Sequence, residues 1–303
     1  MQIEQLGRYP AANRVIAHVS DTHLLRGGAP LGGVADTVRA LGQVVAQLAR
    51  LGDTLDAIVV TGDVTDLGEA DAYRRVRAAI EPLVDATGAD LIWVMGNHDE
   101  RGPFREGLLD EEPSDEPVHR VLHVGGLRVV ALDTSVPGYH HGELDATSLA
   151  WLAEVLAEPA AEGTILAMHH APLPTPLALM DLLELRGQEE LADVIRGRDV
   201  RLILGGHLHY ATNGTFAGVP VSVAGATAYT MDLSAPPREL VGIDGGRSFT
   251  LVHVYDDSFV TSVVPVGPFP VVTSFGEEFL AEVEALSPEG RLERFSRKPP
   301  AAP

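Results

Sequence analysis

The stretch RVIAHVSDTHL, at residues 14–24, is a short apolar run that ends in two potential metal ligands. Asp21 and His23 follow the run, and continuous apolar runs of this length are typical of strands that are buried on both faces. Side chains two residues apart on an extended segment point the same way, so Asp21 and His23 can face one ion. The stretch therefore predicts a buried strand with metal ligands at its carboxyl end.

Four later stretches repeat this arrangement, each with an apolar run that ends in Asp, Asn or His. They are DAIVVTGD at 56–63, LIWVMGNHD at 91–99, TILAMHH at 164–170 and RLILGGHLH at 201–209. Open α/β sheets bind ligands at the carboxyl ends of their strands, so we expect the five stretches to place their polar ends together. Carboxylate, amide and imidazole ligands without sulfur suit first-row divalent or trivalent metals. The candidate metal ligands are Asp21, His23, Asp63, Asn97, His169, His207 and His209.

The composition limits the classes of function that the chain can have. Its 303 residues carry a formal net charge of −21, and a surface this acidic should repel DNA and RNA. A small anionic substrate remains compatible with this charge, because bound cations can make the local field positive. The chain has no cysteine, which excludes disulfides and thiolate ligands. No apolar run reaches about 18 residues and the N-terminus does not resemble a secretory signal, so we expect a cytoplasmic protein without stable membrane insertion.

Helical and strand-like segments alternate in the first half of the chain, which predicts an α/β fold. Apolar residues recur at helical spacing in 34–51, and 69–88 is a second predicted helix between the strand-like runs DAIVV and LIWVM. Two strand–helix–strand units of this kind imply a mostly parallel sheet. A fourth strand is expected at LRVVALDTS, with more strands after His209 and helices over 146–158 and around 180–196. The pattern predicts two sheets that pack face to face with helices outside.

We predict one catalytic domain over residues 14–275, preceded by a short N-terminal extension over 1–13. Residues 100–119 interrupt the regular pattern, because they are acidic, contain proline and show little periodicity. The C-terminal tail over 276–303 is charged, and we predict that it begins as a helix and becomes disordered from Arg294.

The five motifs D-x-H, G-D, G-N-H-D, H-H and G-H-x-H, in this order, resemble the calcineurin-like metallophosphoesterase superfamily. The strings TGDVTDLGE, VMGNHDER, LDTSVPGYHHGEL and GGHLHYATN look like those of class III cyclic nucleotide phosphodiesterases of the mycobacterial type. The resemblance covers roughly residues 14–265. It implies a four-layer αββα sandwich of two mixed β-sheets, a dinuclear iron–manganese centre and often a homodimer. Histidine and oxygen ligands would also suit zinc, cobalt or magnesium.

A dinuclear centre needs one ligand that touches both ions, which lie about 3.5–4 Å apart in two-metal phosphoesterases. Asp63 is the candidate, because it ends a central-looking strand, and the neutral Asn97 adds no negative charge where a phosphate must bind. The resemblance implies that one ion is bound by Asp21, His23, Asp63 and His209. It implies that the other ion is bound by Asp63, Asn97, His169 and His207.

Further residues are expected beside the metals, and His98, Asp99 and His140 are the candidate catalytic residues. A hydroxide between the ions would attack phosphorus, and His98 could contact a phosphoryl oxygen or protonate the leaving alkoxide. We expect Asp99 to orient His98. Asp66 either accepts the free N–H of a ligand histidine or caps the helix that starts near Glu69. The family resemblance places His140 beside the active site as a substrate contact.

Three functions are compatible with these motifs. The preferred one is hydrolysis of a cyclic nucleotide, either 3′,5′-cyclic AMP or a 2′,3′-cyclic mononucleotide. The same metal site would serve another small phosphate ester, such as a glycerophosphodiester or a phosphomonoester. A non-catalytic interaction scaffold on the same fold is disfavoured, because every ligand position is filled. Among the other histidines, we expect His18 to be a hydrogen-bonded core residue and His170 to be structural or to support a ligand.

Overall fold

The computed structural model describes residues 6–298, which belong to two compact units. One unit comprises residues 13–267, and the other comprises the described parts of 1–12 and 268–303. All seven candidate ligands lie in the larger unit. Within the described chain, no helix is both long enough and apolar enough to cross a bilayer.

The larger unit contains the β-strands and the first five α-helices of the described chain. In chain order the strands are β1 (Arg14–Val19), β2 (Ala57–Thr61), β3 (Asp90–Val94), β4 (Arg120–Val124), β5 (Leu127–Leu132), β6 (Thr164–His170), β7 (Val200–Gly206), β8 (Thr212–Phe216), β9 (Val219–Val223), β10 (Thr230–Met231), β11 (Gly242–Ile243), β12 (Ser248–Val254) and β13 (Phe259–Pro265). The helices are α1 (Thr37–Leu48), α2 (Ala70–Thr87), α3 (Arg101–Phe104), α4 (Ala146–Val155) and α5 (Gln188–Ile195).

The strands form two large mixed sheets and one small hairpin. The first sheet has the order β13–β12–β1–β2–β3, in which β1, β2 and β3 are parallel and β12 and β13 are antiparallel. The second sheet has the order β4–β5–β6–β7–β9–β8, with a parallel centre and an antiparallel pair at each edge. β10 and β11 pair separately. The parallel start that the sequence predicts is confirmed.

Three buried apolar layers explain why the sheets stack with helices outside. Neighbouring residues of β2 point to opposite faces, so Ile58 packs beneath α1 and α2 whereas Val59 packs between the sheets. Val129 and Leu204 of the second sheet belong to the same central layer as Val59. The third layer packs the second sheet against α4 and α5, with Leu152 among its buried residues. The result is the α/β four-layer αββα sandwich that the family resemblance implies.

The predicted helices form, and local capping explains their ends. Asp36 accepts a hydrogen bond from the backbone of Arg39 at the start of α1, and Asp145 accepts one from Ser148 at the start of α4. α2 ends at Gly88, whose φ of 73° is a left-handed cap that glycine adopts without strain.

Two parts of the chain differ from the sequence prediction. β4 is not predicted, because Val124 is its one fully buried residue and an edge strand carries a weak apolar signal, so LRVVAL is the fifth strand. In the smaller unit, α6 (Glu277–Glu284) and α7 (Pro288–Arg291) are followed by a π-helical turn that ends at Ser296. Helical structure therefore continues past Arg294, where we predict disorder. Residues 299–303, the end of that predicted segment, lie outside the described residues.

Candidate metal centre

Five of the seven candidate ligands have a backbone φ in the left-handed region. The angle is 54° at Asp21, 44° at His23, 47° at Asp63, 71° at His207 and 58° at His209. Such conformations are uncommon outside glycine and cost about 1–3 kcal/mol each, so they persist only where the surrounding contacts enforce them. Their concentration after β1, β2 and β7 indicates that tight turns aim these side chains at a shared point.

Glycines allow the ligand-bearing turns to approach one another closely. A Cβ at Gly96 would lie 2.1 Å from the backbone nitrogen of Asp63, and a Cβ at Gly206 would lie 2.0 Å from Ser20 Oγ. No side chain can occupy such a distance, so both positions require glycine. The turns after β2 and β3 are therefore in direct contact, and so are those after β1 and β7.

The first cluster of ligand atoms consists of Asp21, His23, Asp63 and His209, all of which are buried. His23 Nε2 lies 3.1 Å from His209 Nε2 and 3.5 Å from Asp63 Oδ2. His209 Nε2 lies 3.3 Å from Asp21 Oδ1. The structure thus brings together the four residues that the family resemblance assigns to one ion.

The hydrogen bonds of His23 and His209 decide which nitrogen of each ring is available. His23 Nδ1 lies 3.0 Å from Asp66 Oδ1, and His209 Nδ1 lies 3.2 Å from the carbonyl oxygen of Tyr229. A carboxylate and a carbonyl only accept, so Nδ1 of each ring carries the proton. The two Nε2 atoms then face each other with lone pairs, and a bound cation would stabilise that arrangement. The donor set therefore fits a metal ion, with each imidazole held by its other nitrogen.

The second cluster is built around His169, Asn97 and His207. His169 Nδ1 donates to the carbonyl of Thr61 at 2.7 Å, which leaves Nε2 as an acceptor. That Nε2 lies 3.1 Å from Asn97 Oδ1 and 3.3 Å from Asp63 Oδ2. His207 Nε2 donates to a backbone carbonyl at 3.0 Å, so its Nδ1 is the free ligand atom. Each imidazole again presents one lone pair, as a neutral metal ligand does.

Asp63 lies between the two clusters. Its Oδ2 is 3.5 Å from His23 Nε2 and 3.3 Å from His169 Nε2, so one oxygen approaches imidazoles from both groups. Its Oδ1 accepts a hydrogen bond from the backbone nitrogen of His98 at 2.8 Å, which fixes the carboxylate plane. The position is the one that a bridging carboxylate would need.

The charges of the centre also favour a cation. Burial opposes ionisation of Asp21, but neighbouring His209 outweighs it and lowers the pKa of this carboxyl to about 2. His169 likewise holds the pKa of Asp63 well below its usual value, against burial. Without a metal ion, the same interaction overcomes burial and raises the pKa of His169 to about 9, whereas burial lowers the pKa of His207 to about 3. The buried carboxylates therefore attract a positive charge, which a proton or a metal ion supplies.

His170 lies within the second cluster but does not offer a free ligand atom. Its Nδ1 is 2.8 Å from Thr134 Oγ1, and its Nε2 is 3.2 Å from the carbonyl oxygen of His140. Both nitrogens have hydrogen-bond partners. His170 therefore supports neighbouring groups through its hydrogen bonds, as expected from the sequence. His18 is also buried, with its Nε2 2.8 Å from a threonine hydroxyl, as expected for a core histidine.

His98, His140 and Asp66 lie at the edge of the centre. His98 Nδ1 is 2.9 Å from the carbonyl oxygen of Asp66, and its ring centroid is 4.8 Å from that of His23 and 4.8 Å from that of His140. His140 Nδ1 is 2.9 Å from Asn97 Nδ2. Asp66 accepts a hydrogen bond from His23 and does not cap α2. These contacts match its predicted role as the partner of a candidate ligand histidine, and not the role of a helix cap.

Asp99 does not contact His98, and the expectation that it orients this histidine is wrong. Its Oδ2 accepts from the backbone nitrogens of Gly96 and Val64, at 3.0 Å and 3.2 Å. Its Oδ1 accepts from the Tyr73 hydroxyl at 2.9 Å. Burial and the nearby ligand carboxylate raise the pKa of Asp99 to about 6. The residue ties together the turns after β2 and β3.

The contacts that sequence reasoning missed are backbone carbonyls. Thr61, Leu183 and Tyr229 each accept the outer N–H of a candidate ligand histidine through their main-chain oxygen. Every residue has a carbonyl, so no sequence signal distinguishes these three. The centroid of the Tyr229 ring lies 4.2 Å from that of His209. The sequence does not predict this contact, because Tyr229 follows the last recognisable motif.

Comparison with known proteins finds similar sequences over most of the chain. Residues 14–211 match the family model for calcineurin-like phosphoesterases. The chain is 52% identical over 267 residues to a cAMP/cGMP dual specificity phosphodiesterase from Mycobacterium tuberculosis, covering 88% of this chain and 84% of that protein. It is 32% identical over 258 residues to a 3′,5′-cyclic adenosine monophosphate phosphodiesterase from Pseudomonas aeruginosa, covering 81% and 92% of the two chains.

The fold is also shared with proteins of low sequence similarity. A dimetal phosphatase from Danio rerio superposes with a TM-score of 0.60 at 17% sequence identity, over 83% of this chain and 96% of that chain. At this level of identity the likeness concerns the sandwich architecture alone.

Proposed function

This chain belongs to the calcineurin-like phosphoesterase family, and from that premise we propose that it hydrolyses cyclic nucleotides at a dinuclear metal centre. The proposed substrates are 3′,5′-cyclic AMP, 2′,3′-cyclic mononucleotides or both, and the names of two relatives agree with cyclic AMP. One observation carries the dinuclear part: Asp63 Oδ2 lies within 3.5 Å of one imidazole nitrogen in each ligand cluster, His23 Nε2 and His169 Nε2. A single ion would occupy one of these clusters and leave the charge of the other to a proton.

The proposed ligand sets follow the two clusters. One ion would be held by Asp21, His23, Asp63 and His209. The other would be held by Asp63, Asn97, His169 and His207. When bound, the ions would supply Lewis acidity that polarises a phosphoryl oxygen and lowers the pKa of the attacking water.

The chain's own residues then orient the substrate and move a proton. Because His98 Nδ1 is occupied by the Asp66 carbonyl, Nε2 is the atom that can reach the substrate. Protonated there, His98 can give its proton to the leaving ester oxygen, a role worth about 10²–10⁴-fold in rate. The adjacent His140, whose Nδ1 is bonded to Asn97, can contact a phosphoryl oxygen through its Nε2.

The remaining parts of the proposal concern the ions, the partners and the compartment. We propose iron and manganese as the native ions, a homodimeric assembly and a cytoplasmic location, and the resemblance to class III enzymes supports the first two. The net charge of −21 supports a small phosphodiester over a nucleic-acid polymer as substrate. Metal analysis of protein purified without added metal, together with analytical ultracentrifugation, tests the first two.

The substrate is tested by a parallel assay of the manganese-loaded protein. The substrates are 3′,5′-cyclic AMP, 2′,3′-cyclic AMP, bis-p-nitrophenyl phosphate and glycerophosphocholine, and the control protein is Asp63→Ala. We expect both cyclic nucleotides and the chromogenic diester to be cleaved by the unmodified protein and none by the variant. Cleavage of glycerophosphocholine alone would replace the proposal by the glycerophosphodiester alternative. A metal-poor protein that cleaves no ester would support the scaffold reading.

A further inference from the structure

A series of hydrogen bonds runs from the second sheet to the candidate ligand Asn97 through Thr134, His170 and His140. The Thr134 hydroxyl lies 2.8 Å from His170 Nδ1, and His170 Nε2 lies 3.2 Å from the carbonyl oxygen of His140. His140 Nδ1 in turn lies 2.9 Å from Asn97 Nδ2. His170 is fully buried at the end of β6, next to the candidate ligand His169. This series of hydrogen bonds therefore connects the protein interior to the edge of the candidate metal centre.

The chemistry of the partner groups determines the direction of each hydrogen bond in this series. The carbonyl of His140 can only accept, so His170 Nε2 carries the proton. His170 Nδ1 then has a lone pair, and the Thr134 hydroxyl donates to it. The Thr134 oxygen also faces the backbone nitrogen of His170 at 3.4 Å, which is compatible with an oxygen whose own proton points to the ring. The buried imidazole is thus held in one tautomer at both ends.

His170 also supports the loop that carries His140. Residues Ser135 and Gly142 pair as an isolated antiparallel bridge, which closes the segment 136–141 at its base. A Cβ at Gly142 would lie 2.5 Å from the His170 ring, so the backbone packs directly on the imidazole. The ring contacts this loop at Gly142 through packing and two residues earlier through the His140 carbonyl. The loop position therefore depends on the His170 side chain.

The Asn97 side chain decides which nitrogen of His140 bears a proton. Asn97 Oδ1 is directed to the metal side, 3.1 Å from His169 Nε2, so the amide nitrogen faces His140 and donates to its Nδ1. A neutral His140 then carries its proton on Nε2. His98 has the opposite arrangement, because its Nδ1 donates to the Asp66 carbonyl. The two neighbouring rings thus offer a donor and an acceptor to the space between them and the metals.

We propose that His170 is a positioning residue, which orients Asn97 as an oxygen ligand and keeps His140 as an N–H donor for a phosphoryl oxygen. The proposal rests on the proposed dinuclear phosphodiesterase function. In this proposal, the neutral His140 ring donates the hydrogen bond that binds the phosphate, and His98 transfers the proton. The proposal also predicts that the ion on the Asn97 side depends on His170, although no His170 atom binds that ion.

Three variants separate positioning from general stability. His170→Leu removes both hydrogen bonds, whereas His170→Gln keeps an amide N–H that can donate to the His140 carbonyl. His119→Leu is the matched control, because His119 also loses two hydrogen bonds, to the Ser148 hydroxyl and the Asp133 backbone, and lies outside both ligand clusters. Thermal unfolding of all three shows how much stability each substitution removes.

The first readout is the affinity of the two metal sites. In a calorimetric titration of metal-free protein with MnCl₂, we expect His170→Leu to weaken one of two binding steps by about 10–100-fold and to leave the other nearly unchanged. His170→Gln should recover most of the lost affinity. His119→Leu should resemble the unmodified protein in both steps. Equal weakening of both steps in His170→Leu, or the same loss in His119→Leu, would reduce His170 to a structural residue.

The second readout is the His140 tautomer itself. Long-range ¹H–¹⁵N spectra of zinc-loaded protein with ¹⁵N-labelled histidine should show His140 with its proton on Nε2, assigned by loss of the signal in His140→Gln. In His170→Leu the signal should become a mixture of tautomers. A proton on Nδ1 in the unmodified protein would overturn the inference. A single manganese site combined with the expected tautomer would instead contradict only the dinuclear part of the proposed function.

Discussion

The two sheets contribute chemically different halves of the candidate metal centre. The first sheet supplies every candidate oxygen ligand and one imidazole, whereas the second sheet supplies imidazoles alone, from the end of β6 and from the turn after β7. Both halves meet at Asp63, which approaches His23 of its own sheet and His169 of the other. The negative charge is thus concentrated on one side of the sandwich. Neither half makes a complete site, because buried carboxylates without the opposing imidazoles and cations would be strongly disfavoured.

The two halves also hold each other in place. The backbone nitrogen of His207, from the second sheet, lies 3.2 Å from both oxygens of Asp21, from the first. Conversely, the carbonyl of Thr61 on the first sheet accepts from His169 on the second, at 2.7 Å. Main-chain atoms of each sheet therefore orient a candidate ligand on the other sheet. This reciprocity teaches that sheet packing, more than any single turn, determines the geometry of the centre.

Replacing Asp63 by Ala is the most severe way to separate the two halves. The change removes the one carboxylate shared by both clusters, so we expect a loss of turnover well beyond the roughly 100-fold that is typical for residues that only support ligands. Elemental analysis should show fewer than two ions per chain. His209→Ala, which affects one cluster, should keep more metal than Asp63→Ala. Retention of both ions in Asp63→Ala would show that the halves are joined by something else.

Replacing His98 by Ala should leave both halves intact and remove the proposed proton donor. We expect turnover to fall by about 10²–10⁴-fold with unchanged metal content, measured by steady-state kinetics and elemental analysis. Asp99→Asn is the control, because Asp99 binds the neighbouring turns and not His98. It should lower the free energy of unfolding and have the smaller effect on turnover. An equal loss of turnover in the two fully metallated variants would contradict this separation of roles.

Replacing Asp66 by Asn tests the support of a single first-sheet imidazole. The carboxylate accepts from His23 Nδ1 at 3.0 Å, so its loss should weaken the tautomer and orientation of that ligand. We expect metal affinity to fall by about 10–100-fold in a competition titration with a chelating dye. Asp71→Asn, on an exposed part of α2, should have no such effect. An unchanged affinity in Asp66→Asn would mean that packing alone holds His23.

The pH dependence of the metal-free protein measures the attraction between the halves. Without metal, Asp63 overcomes burial and raises the pKa of His169 from 6.5 to about 9. This contribution to stability is complete below pH 6.5 and is lost as the pH rises through about 9. Chemical denaturation should therefore show a falling free energy of unfolding over that range in metal-free protein and a smaller change in metal-loaded protein. Parallel curves for the two forms would show that His169 does not share a site with the ion.

Several expectations were met because they depend on local rules that the sequence displays. Polar residues after apolar runs, as at Asp63 and His169, indicate strand ends, and parallel strands bring such ends to one edge. The helix at 70–87 and the buried strand at 57–61 follow from apolar spacing alone. The role of Asp99 was mispredicted, because adjacency to His98 says nothing about where a side chain points after a tight turn.

The amino-acid sequence alone determined the sandwich class, the order of the strands that carry polar ends and the seven residues that gather around the centre, since periodicity and ligand chemistry are properties of local sequence. Only the tertiary structure decided which imidazole nitrogen is free, that Asp63 lies between the clusters, and that His170 contacts the carbonyl of His140. These features depend on carbonyls and backbone nitrogens contributed by distant segments. Such groups are present at every residue, and only their packing across two sheets selects the few that matter.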